Sequence, residues 1–235
     1  MVKGLSLGLK LLIFICSFLG LFLSFLYSFY DGYYNWGARL MYFTGQSNLW
    51  IGLLSIVSVF LIIKNVKRKE KFDLTSLYKI RLSFTLSILV TGLVFCCFLG
   101  PFADKSYHAW SGYSLLTHAV VPVLSLIDFF IDDYKIVFKR SDVFIAVIPI
   151  LVYFAITSLL CVYGLSFGRG DSFPYFFMNF YSMLGFFGVS FTSKPYFGTF
   201  YWLLMLLLIV FSLGLLLIKF HPQTFIYNKN KKRKG

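Results

Sequence analysis

Charge is scarce in this sequence: only 13% of its 235 residues are Asp, Glu, Lys or Arg. The scarcity is uneven. No charged residue falls within 11–30, 40–63, 82–103, 106–127, 143–168, 172–193 or 195–218, and each run reaches the roughly 20 residues that a membrane-crossing helix needs. With 59% apolar residues and a mean hydropathy of +0.80, the composition excludes a soluble globular domain. The loops between the runs are too short to hide one.

Other absences narrow the chemistry. Cys16, Cys96, Cys97 and Cys161 all lie in apolar runs, without metal spacing or an oxidising loop position, so they read as small apolar residues. There is no internal repeat and no phosphate-cradling glycine loop, so neither a cofactor nor a metal is expected. The first apolar run exceeds the about 7–15 residues of a signal-peptide core, and "SFLYSFYDG" offers no small-residue cleavage pattern. It reads as a retained first helix.

What the chain has in excess is positive charge, +13 overall, gathered in segments that flank the apolar runs. That placement points to membrane topology and anionic lipid headgroups as partners, and not to nucleic acid. With six spans and the amino terminus in the cytoplasm, 18 of the 22 Lys and Arg fall inside, leaving Arg39, Lys105, Arg169 and Lys194 outside. A seventh span would carry the basic tail outward. The run at 172–193 holds Pro174, Asn179, Gly185 and Gly188 and is the weakest of the seven, so it reads as an outer-side re-entrant or interfacial segment. The expectation is therefore an all-α polytopic protein of the cell membrane, a six-helix transmembrane bundle with both termini cytoplasmic. Its spans are expected at about 11–30, 44–63, 82–101, 113–131, 143–167 and 200–218, within a single domain over 1–235 that ends in a basic tail at 220–235.

Polar side chains inside such spans need partners, which makes them few and informative. "MYFTGQSNLW" enters the second span with Thr44, Gln46, Ser47 and Asn48 in five residues, and Ser55 and Ser58 continue a polar stripe at helical spacing. Helix capping and interhelical packing are the plain explanations. The fourth span, "SGYSLLTHAVVPVLSLIDFFIDD", carries His118 five residues past Tyr113, roughly 7–8 Å below the outer helix start at 1.5 Å per residue. Thr44 lies at similar depth on a helix entering from the same side. Pro122 removes a backbone donor and should leave the His118 carbonyl unpaired, kinking the helix. Asp128, about 15 Å from His118 along a straight helix, cannot orient it. It is assigned with Asp132 and Asp133 to the cytoplasmic boundary, pairing with Lys135, Lys139 or Arg81. His108 and His221 are expected to be solvated. Asp171, on the outer side, is the candidate orienter of His118.

A hydroxyl beside a neutral imidazole is the minimum apparatus for acyl transfer, with Thr44 attacking a carbonyl and His118 taking and returning the proton. The N–H groups at the start of the second helix, with the polar side chains of Gln46, Ser47 and Asn48, would serve the developing oxyanion or the substrate's polar groups. Since the site would open sideways into the bilayer, a long-chain ester is the natural substrate.

"YFTGQSNL" at the second span, "HAVVP" in the fourth and "FPYFF" after the fifth resemble the androgen-induced gene family of six-helix membrane proteins, particularly its prokaryotic relatives. The resemblance implies an intramembrane threonine hydrolase of fatty acid esters of hydroxy fatty acids, using one Thr and one His, here Thr44 and His118. Pro174 and Tyr175 match the third motif and carry no catalytic role over. The prokaryotic-type sequence around Thr44 leaves the ester unidentified. Two other readings stand beside it: a non-enzymatic lipid-binding or regulatory protein in which Thr44 and His118 simply hydrogen-bond, and a small-solute transporter.

Overall fold

The computed structural model describes residues 2–34, 36–66, 73–102, 110–132, 136–168, 170, 172–192 and 197–232. Six helices among them are long and apolar enough to cross a membrane, which makes the chain a multi-pass helical membrane protein. They are α1 (Val2–Leu26), α2 (Phe43–Val66), α3 (Thr75–Leu99), α4 (Gly112–Ile131), α5 (Asp142–Val162) and α6 (Thr199–Phe220), and a short α7 (Pro222–Lys232) follows. Strand pairing among the described residues is limited to one isolated bridge, Val189 with Phe197. The first helix starts before the expected 11–30 and stops at Leu26, so Lys10 lies within it. Between α5 and α6 the described parts of 172–193 form no membrane-length helix, only a 3-10 turn at Phe176–Met178 whose Phe177 and Met178 pack on Leu206.

α3 is the central helix, touching α2, α4, α5 and α6, while α1 packs on α2 and α4. Where polar and apolar residues sit along these helices divides the interior into layers. Ile13, Ile51, Ile88 and Val121, one from each of α1 to α4, form a dry plug with exposures of 0–3%. On one side lie Ser47, Asn48, Thr91, Thr117 and His118; on the other lie Lys10, Arg81, Ser125 and Asp128, all buried.

Prolines within the helices are accommodated by neighbours. In α5, Pro149 has no N–H to give the carbonyl of Ile145, and the Ser83 hydroxyl of α3 donates to that oxygen at 3.1 Å and to the Ala146 carbonyl at 3.0 Å. In α4, Pro122 follows a π turn at Leu116–Val120, a local widening of the helix. Gly92 of α3 closes on the same place: a Cβ there would lie 2.9 Å from the His118 carbonyl oxygen, so only glycine lets the two backbones approach this far.

On the far side of the plug one expectation is met and extended, and another is corrected. Asp128 does pair with Arg81, but its other cation is Lys10, at 3.1 Å, whose ammonium also reaches Asp132 at 2.7 Å. Lys10 is buried because an acidic pair across the bundle lets its charge stay inside, a partner that local sequence cannot announce. Asp133, Lys135 and His108 lie outside the described residues. His221 is not solvated: it is 2% exposed, its ring 5.2 Å from that of Phe129 and 4.9 Å from that of Phe138.

Burial first, and then the charge of Arg81, push the His221 pKa down to about 4. Its unfolded value lies near 6.5, so the folded state resists a proton that the unfolded chain accepts. Stability is therefore fully present above about 6.5 and falls as pH drops toward 4. In detergent, the apparent Tm of His221→Phe is expected to fall less than that of wild type over this window. Equal falls would show that His221 contributes nothing to the acid sensitivity.

Candidate active site

Thr44 is the second residue of α2, where the first turn leaves its N–H groups without intrahelical partners and the helix dipole is positive. The turn before it is held firmly. Arg39 is paired with Asp31, which also accepts the Tyr113 hydroxyl, and the guanidinium lies 4.1 Å from the centre of the Tyr33 ring. Gly45 allows the preceding 3-10 turn, Trp36–Met41, to fold against α2, since a Cβ at 45 would lie 2.3 Å from the Arg39 carbonyl oxygen.

His118 comes from the π turn of α4 and is 8% exposed. Its Nε2 lies 3.2 Å from Thr44 Oγ1. On the other side of the ring, Nδ1 lies 2.9 Å from the Ser114 carbonyl oxygen, with the Ser114 and Thr117 hydroxyls at 3.2 Å. A carbonyl can only accept, so the proton belongs on Nδ1, and Nε2 presents a lone pair to the Thr44 hydroxyl. A second π turn, Phe95–Leu99 at the end of α3, brings the Phe95 ring onto the imidazole, with centroids 3.8 Å apart and planes 21° from parallel. The phenyl covers one face of the imidazole and leaves the in-plane directions of Nδ1 and Nε2 to their partners.

The remaining residues of the polar entry have partners of their own. Gln46 Nε2 donates to the Leu40 carbonyl at 3.0 Å. Asn48 Nδ2 donates to the Thr44 carbonyl at 2.9 Å and the Thr117 carbonyl at 3.1 Å, tying the Thr44 turn to the residue before His118. Ser47 and Thr91 share a hydrogen bond of 2.7 Å between α2 and α3. Thr44 and His118 are thus brought together, while the described donors of Gln46 and Asn48 are directed at carbonyls. Asp171 lies outside the described residues.

Two tyrosines complete the site. The Tyr175 hydroxyl accepts the Phe43 N–H at 3.0 Å and is within hydrogen-bonding reach of Thr44 and of Tyr153, whose own hydroxyl donates to the Met41 carbonyl at 3.2 Å. Burial, and then neighbouring Tyr153, push the Tyr175 phenol well above its usual range, so it keeps its proton at any ordinary pH. "FPYFF" marked Tyr175 without a role; Tyr153, inside an apolar run, gave no signal. Thr44, Tyr153 and Tyr175 line a cavity of about 30 Å³ closed by Phe154, Ile150, Leu206 and Val210. Thr44 itself is partly exposed to it.

No protein-family profile, curated protein or solved structure matches this chain.

Proposed function

We propose that this protein is a membrane-embedded threonine hydrolase of long-chain lipid esters, of the type that cleaves fatty acid esters of hydroxy fatty acids, related to the prokaryotic members of the androgen-induced gene family. The supporting observation is the ordered hydrogen-bond series from Thr44 Oγ1 to His118 Nε2, and from His118 Nδ1 to the Ser114 carbonyl. In a triad of the Ser-His-Asp kind, an acidic side chain sets the tautomer. Here a backbone carbonyl does so, without adding a charge inside the bilayer.

The reaction runs in two halves. Thr44 Oγ bonds to the ester carbonyl carbon as His118 Nε2 takes the hydroxyl proton. The resulting oxyanion receives a hydrogen bond from the Tyr175 phenol at the positive end of the α2 dipole. The C–O bond to the alcohol then breaks, and His118 returns the proton to the departing alkoxide. Water, losing a proton to Nε2, attacks the acyl-threonine, and the released Thr44 oxygen recovers that proton as the fatty acid leaves. Asn48 holds the Thr44 and Thr117 carbonyls in register, and Gln46 and Ser47 fix the turn.

The charge bias orients this machinery, with both termini and the basic tail cytoplasmic beside anionic headgroups and Thr44 at the outer face of the cell membrane. A second reading, a non-enzymatic lipid-binding protein, is favoured by the small cavity at Thr44, which has room for little more than water. The pair would then be an interhelical hydrogen bond. To test the proposal, purified protein is incubated in detergent with a fluorophosphonate probe and a panel of long-chain esters. Covalent labelling and ester turnover are expected together. Neither, across the whole panel and in added lipid, would reject the hydrolase, and flux of a solute into proteoliposomes without chemical conversion would replace it with a transporter.

A further inference from the structure

A second cavity lies beside the first. Between α5 and α6 it measures about 240 Å³ and is walled by side chains of aliphatic and aromatic type alone, among them Val147, Leu151, Leu203 and Leu207. Its form follows from where the two helices touch. At Gly214 a Cβ would lie 2.8 Å from Val143 Cγ2, so the helices meet closely there. From Val210 to Phe200 on α6, and from Val147 to Phe154 on α5, residues of both helices instead line open space. At 1.5 Å per residue that is a groove roughly 10–15 Å long. One wall of it is shared with the site: Ile150, Phe154 and Val210 line this groove and the Thr44 cavity alike. Ile150 and Val210 are fixed in the core at 3% and 2% exposure, whereas Phe154 is only partly buried.

We propose that this groove seats one unbranched acyl chain of the substrate, with Phe154 as the movable wall between the chain and the Thr44 hydroxyl. The assignment rests on the hydrolase reading for its chemistry and on the shared wall for its geometry. Polarity selects the occupant. The groove offers an extended acyl chain no hydrogen-bonding side chain along its length, and across the shared wall Thr44, Thr91, Tyr153 and Tyr175 line the neighbouring cavity with the polar groups a carbonyl could meet. A headgroup or a bulky polar alcohol would be desolvated there without a partner. The chain therefore enters laterally from the bilayer with its carbonyl leading, and the groove acts as a length gauge.

The test has two arms. In the first, a photoreactive palmitate carrying an alkyl diazirine is cross-linked to wild type and to Leu207→Trp and Leu203→Trp, both at partly exposed positions where a larger ring fills the groove. Labels are expected on α5 and α6 peptides, displaced by excess unlabelled palmitoyl ester and reduced in both variants. In the second arm, turnover of resorufin palmitate is compared with that of resorufin butyrate. The palmitate-to-butyrate ratio of kcat/KM is expected to fall about tenfold in the Trp variants, the scale on which apolar pockets discriminate chain length. Labelling spread equally over all lipid-facing helices, or not displaced by the ester, would overturn the proposal and leave a groove filled by bulk lipid. An unchanged ratio in two folded Trp variants would overturn the length gauge. Displaceable labelling without turnover of either ester keeps the acyl site and removes the hydrolase, so the two failures are distinct.

Discussion

Thr44→Ala is expected to reduce ester turnover to the level of protein-free background, and His118→Ala to lower kcat by about 10²- to 10⁴-fold, the usual worth of a positioned general base. A thousandfold loss corresponds to about 4 kcal/mol of barrier. The reason for so large a loss is geometric. The lone pair on Nε2 faces the Thr44 oxygen at 3.2 Å because Nδ1 is held by Ser114, and with no second base beside Thr44 among the described residues the threonine keeps its proton when the imidazole is removed. Since the two act in one step, Thr44→Ala/His118→Ala is expected to be no slower than the slower single variant. Thr44→Ser, which keeps an oxygen at the same position, should retain measurable turnover. If the pair is only an interhelical hydrogen bond, each substitution costs about 1 kcal/mol of stability and leaves any turnover unchanged. Turnover in parallel with thermal stability, measured on all four variants, separates the two cases.

The second large effect concerns the far side of the plug. Lys10, Arg81, Asp128 and Asp132 are all buried, and their charges sum to zero. Arg81 pairs with both carboxylates, Tyr78 donates to Asp132 at 2.9 Å, and Ser6 donates to Asp128 at 2.9 Å, so α1, α3 and α4 are joined at one point. Arg81→Met leaves two buried carboxylates facing a single ammonium, and is expected to cost about 3–5 kcal/mol. Asp128→Leu should cost a similar amount with the opposite imbalance. Combining Arg81→Met with Asp128→Leu restores neutrality and is expected to be more stable than either single variant, because the orphaned charge that causes the damage is gone. Unfolding by mixed-micelle titration would measure this. Additive losses in the double variant would contradict an electroneutral cluster.

The helices and the Thr44–His118 juxtaposition were legible because each rests on a local signal. Uncharged runs give spans, and 1.5 Å per residue gives depth. The Lys10 network was not legible, because the residue that makes a buried lysine tolerable lies 118 positions away. His221 was missed for a related reason: it follows the last apolar run, but Phe129 and Phe138 cover it through tertiary packing. In the site, Gln46 and Asn48 offered amide donors by composition, and only the folded chain shows those donors turned toward carbonyls of Leu40, Thr44 and Thr117. The two π turns carry no sequence signature beyond Pro122, yet they aim His118 and lay Phe95 over it. What the polar entry "MYFTGQSNLW" did announce is a helix start that must spend polar groups on its own backbone while leaving one hydroxyl for the imidazole.

The most direct test of a Thr44 nucleophile is to locate the covalent adduct by peptide mass spectrometry after fluorophosphonate labelling. The expected result is phosphonylation of the peptide containing Thr44, with Thr44→Ala unlabelled and His118→Ala strongly slowed. An adduct on any other hydroxyl, or labelling that persists in Thr44→Ala, would contradict it.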